Sequence, residues 1–245
     1  MRLETLDGQS IACSEALDAL GRYGLLRIAQ CAVDELQAFL DTWTEPYSHP
    51  HEDAPGVTLI RPMSTRAAEA GMAAFTHSKL KLHTDRASSP APPAVLSTLV
   101  IEQSSSGGDA IFLDGDTLFP STIPDENTLG GLTLCADERN GNLPLLEVKD
   151  DGRRFVRYRD DEIGHPEARN PEAGDLLERI YGCLSQPVHL HMGPGQGYIL
   201  HNCRYLHGRE AFSGHRVVVR FLGNVRVRSS FALLNQGFKP GCAGQ

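Results

Sequence analysis

The chain of 245 residues carries 31 Asp plus Glu against 23 Lys plus Arg, a formal net charge of −8. That acidic balance argues against a broad nucleic-acid or anionic-membrane surface, while leaving room for a local basic pocket. Hydrophobic residues at 40%, with 24 Gly and 15 Pro, describe a globular chain with many turns and enough apolar side chain for a large core.

Along the chain, Ser14 is placed to cap a short helix over Glu15 to Arg22, stopped by Gly24. Leu25 to Ile28 then reads as a strand. Ala32 to Trp43 reads as an amphipathic helix with Val33, Leu36, Phe39 and Leu40 on one face. Val57 to Ile60 is a short strand, and Arg61 to Lys81 is expected to be mobile. Ala94 to Glu102 is a strongly apolar strand between Pro92-Pro93 and a Ser/Gly cluster, followed by a strand at Ala110 to Leu113. Residues 120–170 read as irregular, with one strand at Phe155 to Tyr158. A helix over Glu172 to Leu184 precedes the last strands, Val188 to Met192, Tyr198 to His201 and Arg216 to Val225. Helices first and many short strands afterwards predict a mainly β fold with flanking helices, a β-sandwich or jelly roll. Residues 1–245 are expected to form a single domain, with a substrate-covering insertion around 120–170.

The six cysteines are scattered without a CxxC pair, as expected of free thiols in a reducing cytosol. The N-terminus has no positive region followed by an apolar stretch, so no signal peptide is expected. No run approaches the roughly 20 apolar residues that span a membrane.

The chemistry concentrates at His83-Thr84-Asp85. On a strand, His83 and Asp85 point to the same face. A second histidine from elsewhere completes three facial ligands to one iron(II), with open positions for a co-substrate and oxygen. Downstream, alternation places Arg216, Val218 and Arg220 on one strand face and Val217, Val219 and Phe221 on the other. Either the arginine face is solvated over a valine core, or it faces inward and needs an anion to satisfy it. A dicarboxylate meets the second case, because arginine holds a carboxylate through two parallel hydrogen bonds. A separate pair, His189 and His191, also shares a strand face and offers a second, cupin-like metal site. His201 is expected in the core or behind the metal centre, and His51 and His77 at the surface.

In order, His83-Thr84-Asp85, Gly107-Gly108-Asp109, Asn202 with His207-Gly208-Arg209 and Ala211-Phe212, and Arg216 with Arg220 resemble the taurine dioxygenase family of iron(II)- and 2-oxoglutarate-dependent oxygenases. The opening Ala19-Leu20 and Tyr23-Gly24-Leu25-Leu26 also look like that family. The resemblance implies a double-stranded β-helix with iron(II) held by His83, Asp85 and His207. It implies that Arg216 binds the distal carboxylate of 2-oxoglutarate and that Arg220 meets co-substrate or an acidic substrate. The implied reaction consumes O2 and 2-oxoglutarate, releases succinate and CO2, and oxidises an unactivated C–H bond, by default to an alcohol. Asp85 retains the carboxylate that the family's halogenases lack. Where the family usually places a threonine after Gly-Gly-Asp, this chain has Ala110, which costs one neutral hydrogen bond to the co-substrate, about 0.5–1.5 kcal/mol. Arg157 and Asp160 lie where relatives place substrate-facing residues, and Arg61 and Arg66 where relatives cover the pocket. The substrate expected from this resemblance is a small, polar, amino-acid-like or natural-product molecule. The competing reading is a metal-binding, cupin-like barrel without oxygenase activity.

Overall fold

The computed structural model describes residues 1–5, 10, 11, 13–63, 70–119, 124–136 and 142–241. Two antiparallel sheets face one another. The larger runs in the order Ser10–Ile11, Arg2–Glu4, Leu25–Gln30, Gly197–His201, Val95–Glu102, Val217–Val225 and Thr44–Pro46, with Val57–Ile60 also pairing with Val217–Val225. The smaller runs Val188–Leu190, Ala110–Asp114, Tyr205–Arg209 and Leu80–His83.

Strand alternation explains why these strands read as apolar throughout, since each sheet is covered on both faces. Leu96, Val100, Leu200, Val218 and Leu222 point inward and pack with Ala110, Phe112 and Tyr205 of the smaller sheet. Leu99, Ile199, Val219 and Phe221 point outward beneath Leu20, Leu36, Leu40 and Trp43. Those residues belong to the first two helices, Cys13–Tyr23 and Val33–Asp41, and the segment after them. On the far side, Leu82, Ile111 and Leu206 pack under Leu132, Leu134, Leu145, Leu176 and Ile180. This is the mainly β jelly roll with flanking helices that the sequence predicts.

The expectation of irregular structure over residues 120–170 is corrected. Leu132–Ala136 pairs with Gly164–Ala168 and with Leu143–Pro144, and Leu146–Val148 pairs with Arg154–Val156. A helix at Glu126–Gly131 starts where the Asp125 carboxylate accepts from the Thr128 amide. Strands of two to five residues are too short to show a period in sequence. The expected strand at Phe155–Tyr158 ends at Val156. In the stretch 61–81, Ala73–Phe75 forms a 3-10 turn and Leu80 opens a strand. Residues 64–69, Arg66 among them, lie outside the described residues. No helix among the described residues is long and apolar enough to cross a membrane.

Candidate metal centre

His83 is the last residue of the Leu80–His83 strand and lies directly opposite His207 of Tyr205–Arg209. Their rings stand 4.5 Å apart between centroids. Pairing shifts register between His207 and Arg209. Gly208 permits this close approach, because a Cβ there would lie 2.4 Å from the Leu80 carbonyl oxygen. Asp85 lies beyond the strand end, so strand alternation does not place it. Asn202 does: its side-chain oxygen accepts from the Asp85 amide at 2.7 Å, and its Nδ2 donates to the Asp85 and Pro93 carbonyls, each at 2.9 Å.

One ligating atom each from His83, Asp85 and His207 lie within 4.8 Å of one another, and all three residues are buried. This is the one such group among the described residues. His83 Nδ1 donates to the Lys81 carbonyl at 2.9 Å, which leaves Nε2 as a lone pair 3.4 Å from Asp85 Oδ1. Arg220 takes the other carboxylate oxygen, Oδ2, at 3.0 Å. His207 Nδ1 is buried without a hydrogen-bond partner. A buried nitrogen of that kind is costly unless something binds the ring.

Burial favours neutral groups here, and the charges resist it selectively. It pushes His207 down to about 3, helped by the neighbouring His83, so the ring is a neutral donor. Burial alone would raise Asp85, but Arg220 and the two imidazoles outweigh it and hold the carboxyl well below its usual range. Two buried imidazoles and one buried carboxylate are a donor set that suits a divalent iron.

Beside this group is a cavity lined by His83, His207, Arg209, Arg216, Arg220 and Tyr198, with no carboxylate in its lining. Arg216 is 5% exposed, and burial lowers its pKa. Its Nε has no partner, and no acidic residue pairs with it among the described residues. Gly108 gives it room: at φ +82° a Cβ would crowd Arg216 Cδ at 3.2 Å. Arg209 differs, since its guanidinium is spent on the carbonyls of Ala74, Thr76, Ser78 and Glu210. It clamps the 73–78 segment onto the strand that carries His207. Ala110 lines the same cavity and brings no hydroxyl.

The sequence profile "Taurine catabolism dioxygenase TauD, TfdA family" matches residues 5–222. The chain belongs to this family. As a TauD/TfdA member it is an iron(II)- and 2-oxoglutarate-dependent oxygenase. Its fold is similar to PvcB, an Fe, alpha-ketoglutarate dependent oxygenase from an isonitrile synthetic pathway. The two share 17% identity and a TM-score of 0.61, over 90% of each chain. It is similar to an asparagine oxygenase solved with Fe(II), 2S,3S-3-hydroxyasparagine and succinate, at 14% identity and TM-score 0.63, over 86% of this chain and 77% of that one. It is also similar to the non-heme iron oxygenase OrfP in complex with Fe and alpha-ketoglutaric acid, at 17% identity and TM-score 0.59, over 76% of this chain and 61% of that one. No curated protein matches the chain by sequence.

Within this TauD/TfdA chain the motif histidines, Asp85, Arg216 and Arg220 come together, whereas Arg157 and Asp160 do not line their cavity. Arg157 is held by Glu147 at 3.2 Å and by the Pro90 carbonyl at 3.1 Å. Asp160 lines a separate cleft outside the smaller sheet with Tyr158 and Tyr181. Their neighbours turn the other way. Arg159 is 8% exposed, grips Asp161 through Nε at 2.7 and 2.8 Å, and lies within electrostatic reach of His207. No periodic signal in the sequence marks that pair, since residues 157–160 lie outside any strand. His49 and Thr58 were also missed: Thr58 Oγ1 links His49 Nε2 at 2.9 Å to Arg220 at 3.4 Å. His191 pairs with Asp109 at 2.8 Å and His189 lies 4.0 Å from Glu210, both exposed, so the two do not form one ligand set. His51, His77 and Arg61 are exposed, and His201 is buried in the core.

Proposed function

We propose that this oxygenase binds iron(II) through His83, Asp85 and His207, takes the distal carboxylate of 2-oxoglutarate on Arg216, and hydroxylates a small, polar, amino-acid-like substrate. The observation that carries this reading is the buried ligand triad beside Arg216, a buried arginine that pairs with no acidic residue among the described residues. Iron(II), when bound, supplies oxygen activation coupled to decarboxylation of 2-oxoglutarate to succinate and CO2.

The chain's own residues prepare the site. Lys81 fixes the His83 tautomer so that Nε2 faces the metal position. Arg220 occupies Asp85 Oδ2 and leaves Oδ1 for the metal. Arg216 meets the co-substrate carboxylate with no acidic residue to displace among the described residues, and that pairing offsets the burial of its charge. Ile60, Met192 and Val218 supply apolar wall that keeps water from the cavity.

An amino-acid-like substrate is supported by the relatives, one solved with 3-hydroxyasparagine and another with (3R,4R)-dihydroxy-L-Arg. The 157–161 segment, tied to Thr84 through the Tyr158 backbone, brings Arg159 and Asp161 to the metal side as the substrate-covering part of the 120–170 insertion. We further infer a single catalytic domain working as a cytosolic enzyme on a small molecule. A panel of amino acids and their derivatives, scored by succinate release above the uncoupled background, tests the reading. The expected hit is abolished by His207→Ala, and turnover that survives that substitution contradicts the assignment.

A further inference from the structure

Ala110 removes the hydroxyl that the smaller sheet would otherwise offer an anion on Arg216, yet the cavity is not short of one. Tyr198, Thr98 and Arg220 sit directly opposite one another on three adjacent strands. Residues paired in this way project to the same face, and all three line the cavity with Arg216. Tyr198 is 5% exposed and its ring meets Phe112 edge-on at 4.8 Å and 87°. Phe112 is two residues from Ala110 on the same inner face of Ala110–Asp114. Tyr198 and Ala110 thus line one cavity with Arg216 from the two facing sheets.

We propose that the Tyr198 phenol, held by Thr98, replaces the missing 110 hydroxyl as the neutral donor to the distal carboxylate of 2-oxoglutarate. This rests on the co-substrate site proposed above. Thr98 is opposite Tyr198 in the cross-strand register and on the same cavity face, so its hydroxyl is placed to donate to the phenol oxygen and leave the phenol proton for an acceptor in the cavity. Burial raises the phenol to about 12, so it remains a donor throughout the range in which an enzyme works. Arg216 and the phenol then converge on one carboxylate position, with Arg216 the charged partner and Tyr198 the neutral one.

The test compares two ligands in anaerobic titrations of the iron(II)-loaded protein, followed by the visible charge-transfer band. These are 2-oxoglutarate and 2-oxopentanoate, which chelates a metal in the same way and ends in a methyl group. Tyr198→Phe is expected to weaken 2-oxoglutarate by at least about tenfold, the low end for one hydrogen bond to a charged group. Binding of 2-oxopentanoate is expected to stay within about twofold. Adding Ala110→Thr to Tyr198→Phe is expected to restore much of the lost 2-oxoglutarate affinity, a coupling that a purely structural role would not produce. Equal weakening of both ligands, or no weakening of either, overturns the proposal. If Tyr198→Phe unfolds, Thr98→Val decides the matter with the same ligand pair, where a selective loss of 2-oxoglutarate affinity is expected and an unselective one overturns it. Wild-type binding that depends on Arg216 but not on Tyr198 overturns this inference alone. Wild-type protein that gives no band with 2-oxoglutarate overturns the co-substrate site as well.

Discussion

Asn202 grips Asp85 from across the fold, accepting from its amide at 2.7 Å and donating to its carbonyl at 2.9 Å, from 117 positions further along the sequence. Both residues are buried, so the clamp has no water to replace it. Asn202→Ala leaves a buried amide and two carbonyls unpaired, at about 1–3 kcal/mol for each group that stays dry. It is expected to lower the melting temperature and to weaken iron(II) by about 10–100-fold, the range for losing a residue that orients a ligand. Anaerobic metal titration alongside thermal unfolding checks both effects. Unchanged metal affinity in a folded variant would show that Asp85 is positioned without Asn202.

The two strand arginines divide their work. Arg216 has no acidic partner among the described residues, whereas Arg220 is committed to Asp85 and Thr58. Arg216→Ala is expected to weaken 2-oxoglutarate by about 100-fold or more, because charge-assisted paired hydrogen bonds are lost. Arg220→Ala is expected to act on iron(II) affinity instead, with a smaller effect on the co-substrate. Equal 2-oxoglutarate binding curves for the two variants would contradict the division.

His201 gives the fold a pH dependence. Burial holds it neutral and lowers it from 6.5 to about 4, and its Nε2 donates to the Leu234 carbonyl at 2.8 Å. The unfolded chain takes up a proton below about pH 6.5 that the folded chain refuses until about pH 4. Stability is therefore intact above that window and falls as pH drops through it, by about 3 kcal/mol from this residue. His201→Gln is expected to flatten the slope measured by denaturant unfolding between pH 7 and 4. An unchanged slope would assign the loss to other groups.

The surface histidines bound the site from outside. His189 and His191 are exposed and directed to different carboxylates. The double substitution His189→Ala, His191→Ala is expected to leave iron(II) affinity within about twofold, the usual limit for surface changes. A large loss would revive the second metal site considered from sequence.

What could be read in the sequence was what depends on neighbours along the chain. His83, His207, Arg216 and Arg220 were legible as an ordered set, and alternation put Val218 and Val219 on opposite faces; which face is inward was left open, and Val218 takes it. Asp85 was legible as a ligand type but not by its reason, because the strand stops at His83 and a side chain 117 residues away finishes the placement. Tyr198 and Thr98 were not legible, since their meeting with Arg220 depends on cross-strand register. Arg159 and Asp161 were not singled out in the sequence, because their placement depends on Thr84 bonding the Tyr158 backbone from 74 residues away.

The most direct test is an anaerobic titration of iron(II) and 2-oxoglutarate into wild-type protein and into His83→Ala, Asp85→Ala and His207→Ala. The account predicts a visible charge-transfer band in the wild type, at one iron per chain, and its loss in each variant that stays folded. A wild type without the band, or a His83→Ala variant that keeps it in full, would contradict the metal centre.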